Sequence, residues 1–199
     1  MNNQRNLFPR WENTPQGYGL VAIALHWVIA IMVLGLFSLG LWMTDLTYYH
    51  AGYKWAPEMH KGFGSLLFVL MVLRLTWRMA NVSPQLERSI PPWQRRLAEW
   101  NHRTLYGLLF ILMLSGYLIS TADGRPLDVF GVIQVPATIS TLPKQEDVAG
   151  LWHQYLAWIL MGFILVHTLA ALKHHFINRD RTLKKMLYSA MSDPNSNKR

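Results

Sequence analysis

The chain has 199 residues, of which 51% are hydrophobic and only 15% charged, and it holds 9 Trp, 8 Tyr, 8 Phe and 10 Met. An ordinary soluble domain carries about 25% charged residues, so this chain lacks what keeps a surface wet, and disorder, collagen and coiled coil are excluded. Cysteine is absent, which removes disulfides, thiolate metal sites, iron–sulfur clusters on Cys and any covalent C-x-x-C-H attachment.

Residues 20–43 form the first uncharged run, 24 residues long, where about 20 helical residues cross a bilayer core. The connection at 44–59 carries Tyr48, Tyr49, Tyr53 and Trp55, an amphipathic set suited to a membrane interface. The second run is short, with 12 uncharged residues at 62–73. Lys61, Arg74 and Arg78 flank it and can snorkel to the interface. Trp55 and Trp77 bracket it as an aromatic belt, so a second helix is predicted over about 56–78.

Pro91–Pro92 breaks the next connection before a short basic stretch. The third run, residues 104–122, has 19 uncharged residues and predicts a span of about 102–122. In the loop 123–147, Pro126, Pro136 and Pro143 argue against a regular helix. The fourth run, residues 148–172, has 25 uncharged residues and predicts a span of about 148–173. Residues 190–199 read as a polar tail. The expectation is an all-α transmembrane four-helix bundle, one integral membrane domain over residues 1–199.

The basic residues orient it. The N-terminal tail, the central loop and the C-terminal tail together hold 15 Lys and Arg, and the other two loops only 4. The positive-inside rule then places both termini in the cytoplasm, and it accounts for the net charge of +8 without nucleic acid. The first apolar run is too long for a cleavable signal and has no small-residue cleavage site after it.

Ionisable groups inside a span are functional candidates by default, because lipid cannot solvate them. With four alternating spans, His26 and His167 fall at inner depth, and His60 and His153 at outer depth. His153 and His167 are 14 residues apart on one helix, about 21 Å and close to four whole turns, so they face the same way at two levels. A haem takes one axial ligand on each side, so two such pairs read as two stacked b-type haems. Gly40 and Gly64 would leave room for the porphyrins, and Arg74, 14 residues after His60, would pair with inner propionates. His174 continues the face of His167 toward the cytoplasm, where it reads as an interfacial residue of the basic run 173–175 or as a hydrogen-bond partner of a propionate. His102 is a competitor of His26 at inner depth, and His50 and His175 read as interfacial residues.

With ALHW at His26, EMHKGFGSLLFVLMVLRLTWRM at His60, and LWHQYLAW followed by VHTLAALKHHF around His153 and His167, the chain resembles the prokaryotic cytochrome b561 family from about residue 17 to 187. ISTADGRPLDVFGVIQVPA looks like the loop of a subset of that family. The resemblance implies two non-covalent haem b groups on His26, His60, His153 and His167, and electron exchange with the quinone pool. It also implies superoxide as a candidate substrate, since at least one member passes electrons from superoxide to ubiquinone.

The outer loops carry four basic residues against six acidic ones, a poor field for collecting an anion, although Lys61 beside His60 would supply a local positive patch. A haem-anchoring relay subunit of a larger membrane dehydrogenase, working with a redox partner protein, is the alternative. A haem-free metal transporter is disfavoured, since no acidic residue lies in any of the four uncharged runs.

Overall fold

The computed structural model describes residues 10–85 and 90–189; the tail at 190–199 lies outside them. Four long helices dominate: α1 (Leu20–Thr44), α2 (Trp55–Ala80), α3 (Pro92–Ser120) and α4 (Gln145–Phe176). A two-stranded hairpin, β1 (Leu127–Val129) and β2 (Ile133–Val135), stands between α3 and α4, and a four-residue α5 (Lys184–Leu187) follows α4. All four long helices are long and apolar enough to cross a membrane. Leu, Val, Ile and Met fill them, and in lipid only a helix or closed barrel satisfies every backbone group internally.

Each helix overruns its apolar run where local chemistry allows. α3 begins at Pro92, ten residues before the predicted start at 102. Proline is pre-set for the first helical position, and the Gln94 and Arg95 amides bond the Pro91 carbonyl. Arg95 Nε also donates to the Ile90 carbonyl at 2.9 Å. α4 opens with Glu146 and Asp147 and closes with Lys173, His174 and His175, the charge order that complements a helix dipole. The Gln145 amide is buried at 6% exposure. Its Nε2 donates to the Leu118 and Ile139 carbonyls at 2.9 and 2.8 Å, which ties the start of α4 to the end of α3.

The loop at 123–147 forms no helix at its centre, as its prolines require, but it is more regular than a loop. Leu127, Asp128 and Val129 pair antiparallel with Val135, Gln134 and Ile133. The turn runs through Phe130 and Gly131, both at positive φ (56° and 71°), and the Asp128 carboxylate accepts the Gly131 amide at 2.8 Å. Positive φ is costly for a bulky residue. Phe130 is held there by docking on α2: a Cβ on Gly62 would lie within 3 Å of three atoms of its ring. Its ring also stands 5.1 Å from that of Phe63.

The chain packs as two compact units. One comprises Met1–Val28, Met71–Glu99 and Val166–Arg199. In it residues 10–19, ahead of α1, form an ordered hook. Thr14 and Gly17 bridge, Asn13 Nδ2 donates to the Val82 carbonyl at 3.1 Å, and the Gln85 amide donates to the Pro15 carbonyl at 2.9 Å. The segment after α4 joins in through Lys185 Nζ on the Gln85 carbonyl and Trp27 Nε1 on the Met186 carbonyl, at 2.9 and 2.8 Å.

The other unit comprises Ile29–Leu70 and Trp100–Leu165, and parts of all four long helices pack within it. Phe37 meets Trp158 edge-on at 5.1 Å, Phe68 meets Phe110 at 6.0 Å, and Trp100 meets Phe163 at 5.9 Å. Leu67 and Leu160 are buried here, while Ile31, Val69, Ile111 and Leu165 are more than half exposed. A contiguous apolar exterior of that kind is disfavoured in water and suited to acyl chains.

Two histidine pairs

In the first of these units, α1 supplies His26 and α4 supplies His167. Their rings stand with centroids 6.2 Å apart at an interplanar angle of 65°. Arg74 of α2 reaches the same place. Its Nη1 donates to the Ala22 carbonyl at 3.2 Å, and its Nη2 lies 3.3 Å from His26 Nδ1. The Trp27 ring flanks His26 at 5.4 Å.

In the other unit, α2 supplies His60 and α4 supplies His153, again with centroids 6.2 Å apart, at 74°. His153 Nδ1 lies 2.9 Å from Ser115 Oγ and 3.1 Å from the Leu112 carbonyl. Ser115 Oγ donates to that same carbonyl at 2.7 Å, so its lone pair faces the ring. With only acceptors around it, Nδ1 carries the proton, and Nε2 keeps its lone pair. Two glycines make space for these rings. A Cβ on Gly40 would lie 3.3 Å from His60 Cε1, and one on Gly116 would lie 3.2 Å from His153 Cε1. Gly40 therefore makes room for the His60 ring.

These residues fit a metal held between paired imidazoles. Two metal–nitrogen bonds of about 2 Å each put the ring centroids about 6 Å apart, and both pairs stand at 6.2 Å. His60 Nδ1 is buried with no hydrogen-bond partner among the described residues, a polar atom that calls for further chemistry at that site. A Cβ on Gly64 would meet nothing within 4 Å, so space is open beside it. Among the described residues no group of three or more His, Cys, Asp or Glu gathers, whereas a zinc or copper site clusters its ligands. A haem needs only two from the protein.

The remaining candidates divide. His174 Nδ1 bonds the Asp180 carboxylate at 2.5 Å, with both side chains largely buried, and the Asn178 amide lies 3.2 Å from the same nitrogen. A left-handed residue, Arg179 (φ 53°), turns the chain back so that the Asp180 amide reaches the His174 carbonyl at 3.1 Å. Burial opposes ionisation of Asp180, but hydrogen bonds from Thr182 and from His174 outweigh it and hold the carboxyl below its usual range. Lys61 is not a lone positive patch, since it pairs with Glu58 at 2.7 Å. His50 Nδ1 accepts the Gly52 amide at 2.9 Å in the connection before α2.

Ser115, Gly116, Leu112 and Asp180 were not singled out from the sequence. The small pair Ser115–Gly116 inside an apolar helix was the available signal, because such residues let other groups approach closely.

The chain matches the family described as prokaryotic cytochrome b561 over residues 17–189. It is 48% identical over 183 residues to cytochrome b561 homolog 2 of Escherichia coli K12, covering 92% of this chain and 97% of that protein. It is 28% identical over 170 residues to cytochrome b561 homolog 1 of the same organism, covering 83% and 93%. It is 26% identical over 172 residues to the probable superoxide oxidase CybB of Yersinia pestis, covering 85% and 95%. With four helices able to cross a membrane, the chain belongs to the prokaryotic cytochrome b561 family of haem-binding membrane electron-transfer proteins.

Proposed function

We propose that this protein moves electrons between a donor and the quinone pool through two haem b groups, one held by His26 and His167 and one by His60 and His153. The observation that carries the reading is the pair of facing imidazoles, repeated at the same 6.2 Å in both units. Held by these histidines, haem b would supply one-electron redox chemistry.

The chain's own residues do the rest. Leu112 and Ser115 hold His153 in the tautomer that presents Nε2. Gly40 and Gly116 let the His60 and His153 rings lie where a Cβ would crowd them. Arg74 places a permanent cation beside His26, where it is available to an anionic propionate. His174 is the proposed proton donor to quinone. Its Nδ1 is engaged by ionised Asp180, which leaves Nε2 to take and give the proton.

The placement is a bacterial inner membrane with both termini cytoplasmic, supported by the 15-to-4 bias in Lys and Arg. Superoxide as a donor rests on the relative that bears that name. The pairing of Lys61 with Glu58 and of Arg125 with Asp123 weakens the positive field such a donor would need.

The test is to reduce the detergent-purified protein with a quinol and, separately, with a superoxide-generating system, following the visible haem bands. Reduction by quinol that slows at least tenfold in His174→Leu, with dithionite reduction unchanged, is the expected result. Failure of quinol to reduce the wild-type haems would overturn the quinone assignment, and failure of superoxide to do so would remove that donor.

A further inference from the structure

α3 places its last charge at the edge of its apolar run. Arg103 is followed by 19 uncharged residues, 104–122, so it stands where water gives way to acyl chains. It is exposed, and among the described residues it makes neither a side-chain hydrogen bond nor an ion pair. Glu99, four residues earlier and about 6 Å nearer water along the helix, is likewise unpaired. Lys61 and Arg125, by contrast, are already occupied by Glu58 and Asp123.

Trp100, Arg103, Gly107, Ile111 and Leu114 recur at intervals of three and four, which is one stripe of a helix. All five are exposed, the three large apolar ones by more than half, and all lie within the second compact unit. Gly107 interrupts the stripe. A Cβ there would meet nothing within 4 Å, so bare backbone leaves a notch between Arg103 and Ile111. Ile111 belongs to the apolar exterior suited to acyl chains, and the stripe carries that exterior up to an unpaired cation.

We propose that this stripe of α3 is a binding site for one anionic phospholipid. The Arg103 guanidinium forks onto the headgroup phosphate, whose oxygens match its donors in pairs. Trp100 lies at headgroup level, as indoles do at membrane interfaces. One acyl chain lies in the Gly107 notch and runs along Ile111 and Leu114. A zwitterionic lipid offers the same phosphate but brings its own ammonium, so the site prefers a headgroup with net negative charge. The proposal goes beyond the electron-transfer reading and does not depend on haem ligation or on the side of the membrane at which α3 begins.

Native mass spectrometry of the delipidated, full-length protein, titrated with phosphatidylglycerol or with phosphatidylcholine, tests this. The first phosphatidylglycerol should bind about fivefold more tightly than the first phosphatidylcholine, the effect of one basic side chain on an anionic headgroup. Arg103→Gln should bring the two lipids level, and Arg103→Lys, which keeps the charge without the fork, should keep part of the preference. Gly107→Leu, which fills the notch, should weaken both lipids and leave the preference between them. Arg125→Gln should change neither, since that cation is already paired with Asp123. Equal affinities in the wild type, or a preference that survives Arg103→Gln, would overturn the proposal. So would a dimer whose formation excludes the lipid adduct, because a second copy of the chain would then occupy this face.

Discussion

Gly116 and Gly40 carry as much of the site as the histidines beside them. Each stands where a Cβ would press on an imidazole, at 3.2 Å from His153 Cε1 and 3.3 Å from His60 Cε1. Contacts that tight are relieved by moving the ring, and in His153 a shift would disturb the bonds that Ser115 and the Leu112 carbonyl make at Nδ1, on the same edge. Gly116→Val should therefore lower haem content by about one per chain and spare the His26–His167 site, as read from the haem-to-protein ratio and the remaining visible spectrum.

Asp180 offers a second prediction at this scale. Its carboxyl is held below the ordinary value of 3.8, so what it contributes is fully present above that value and is lost as pH falls through the lower folded value. Asp180→Asn should weaken the turn after α4 at neutral pH by about 1.5–3 kcal/mol, the worth of hydrogen bonds to a charged group. Hydrogen exchange at the Thr182 amide, which donates to Asp180 at 2.9 Å, should speed up accordingly. In the wild type the same loosening should appear only on acidification below that range.

The four paired histidines were legible because a polar group in an apolar run stands out and helical periodicity gives its depth. The groups around them were not. A carbonyl such as that of Leu112 has no side-chain signature, and Asp180 sits six residues from His174, beyond the helix, where no periodicity applies.

At the scale of elements, α2 has the weakest apolar signal, with only 12 uncharged residues in its run. It forms a 26-residue helix, because Lys61, Arg74 and Arg78 are long enough to leave the apolar zone at their tips. The hairpin was not foreseen. Its strands are three residues each, too short for alternation to announce them, and its turn places Phe130 where a glycine would be the expected residue.

What holds Phe130 is a tertiary contact, the bare backbone of Gly62. Gly62→Ala should loosen the hairpin, at a cost of about 1–3 kcal/mol for overpacking, and expose it to limited proteolysis. Because the clash is with one ring, Phe130→Ala combined with Gly62→Ala should be less damaging than the sum of the two single changes. Additive losses would show that the contact is not the cause.

For the whole molecule, the distribution of basic residues predicts that both termini face the cytoplasm. The absence of cysteine makes a clean test available. A single cysteine at Tyr188, 59% exposed, should react with a membrane-impermeant thiol reagent only when the cytoplasmic side is opened, and one at Ile133, also 59% exposed, should react in intact cells stripped of their outer membrane. The reverse pattern would invert the topology.

The central claim is that two irons are held, each between one facing pair of histidines. Haem per chain, counted in detergent-purified protein made with ample haem supply, tests it most directly. Two low-spin b haems are expected in the wild type, one in each of His26→Ala, His60→Ala, His153→Ala and His167→Ala, and two in His50→Ala. Two haems retained in all four of the paired-histidine variants would contradict it.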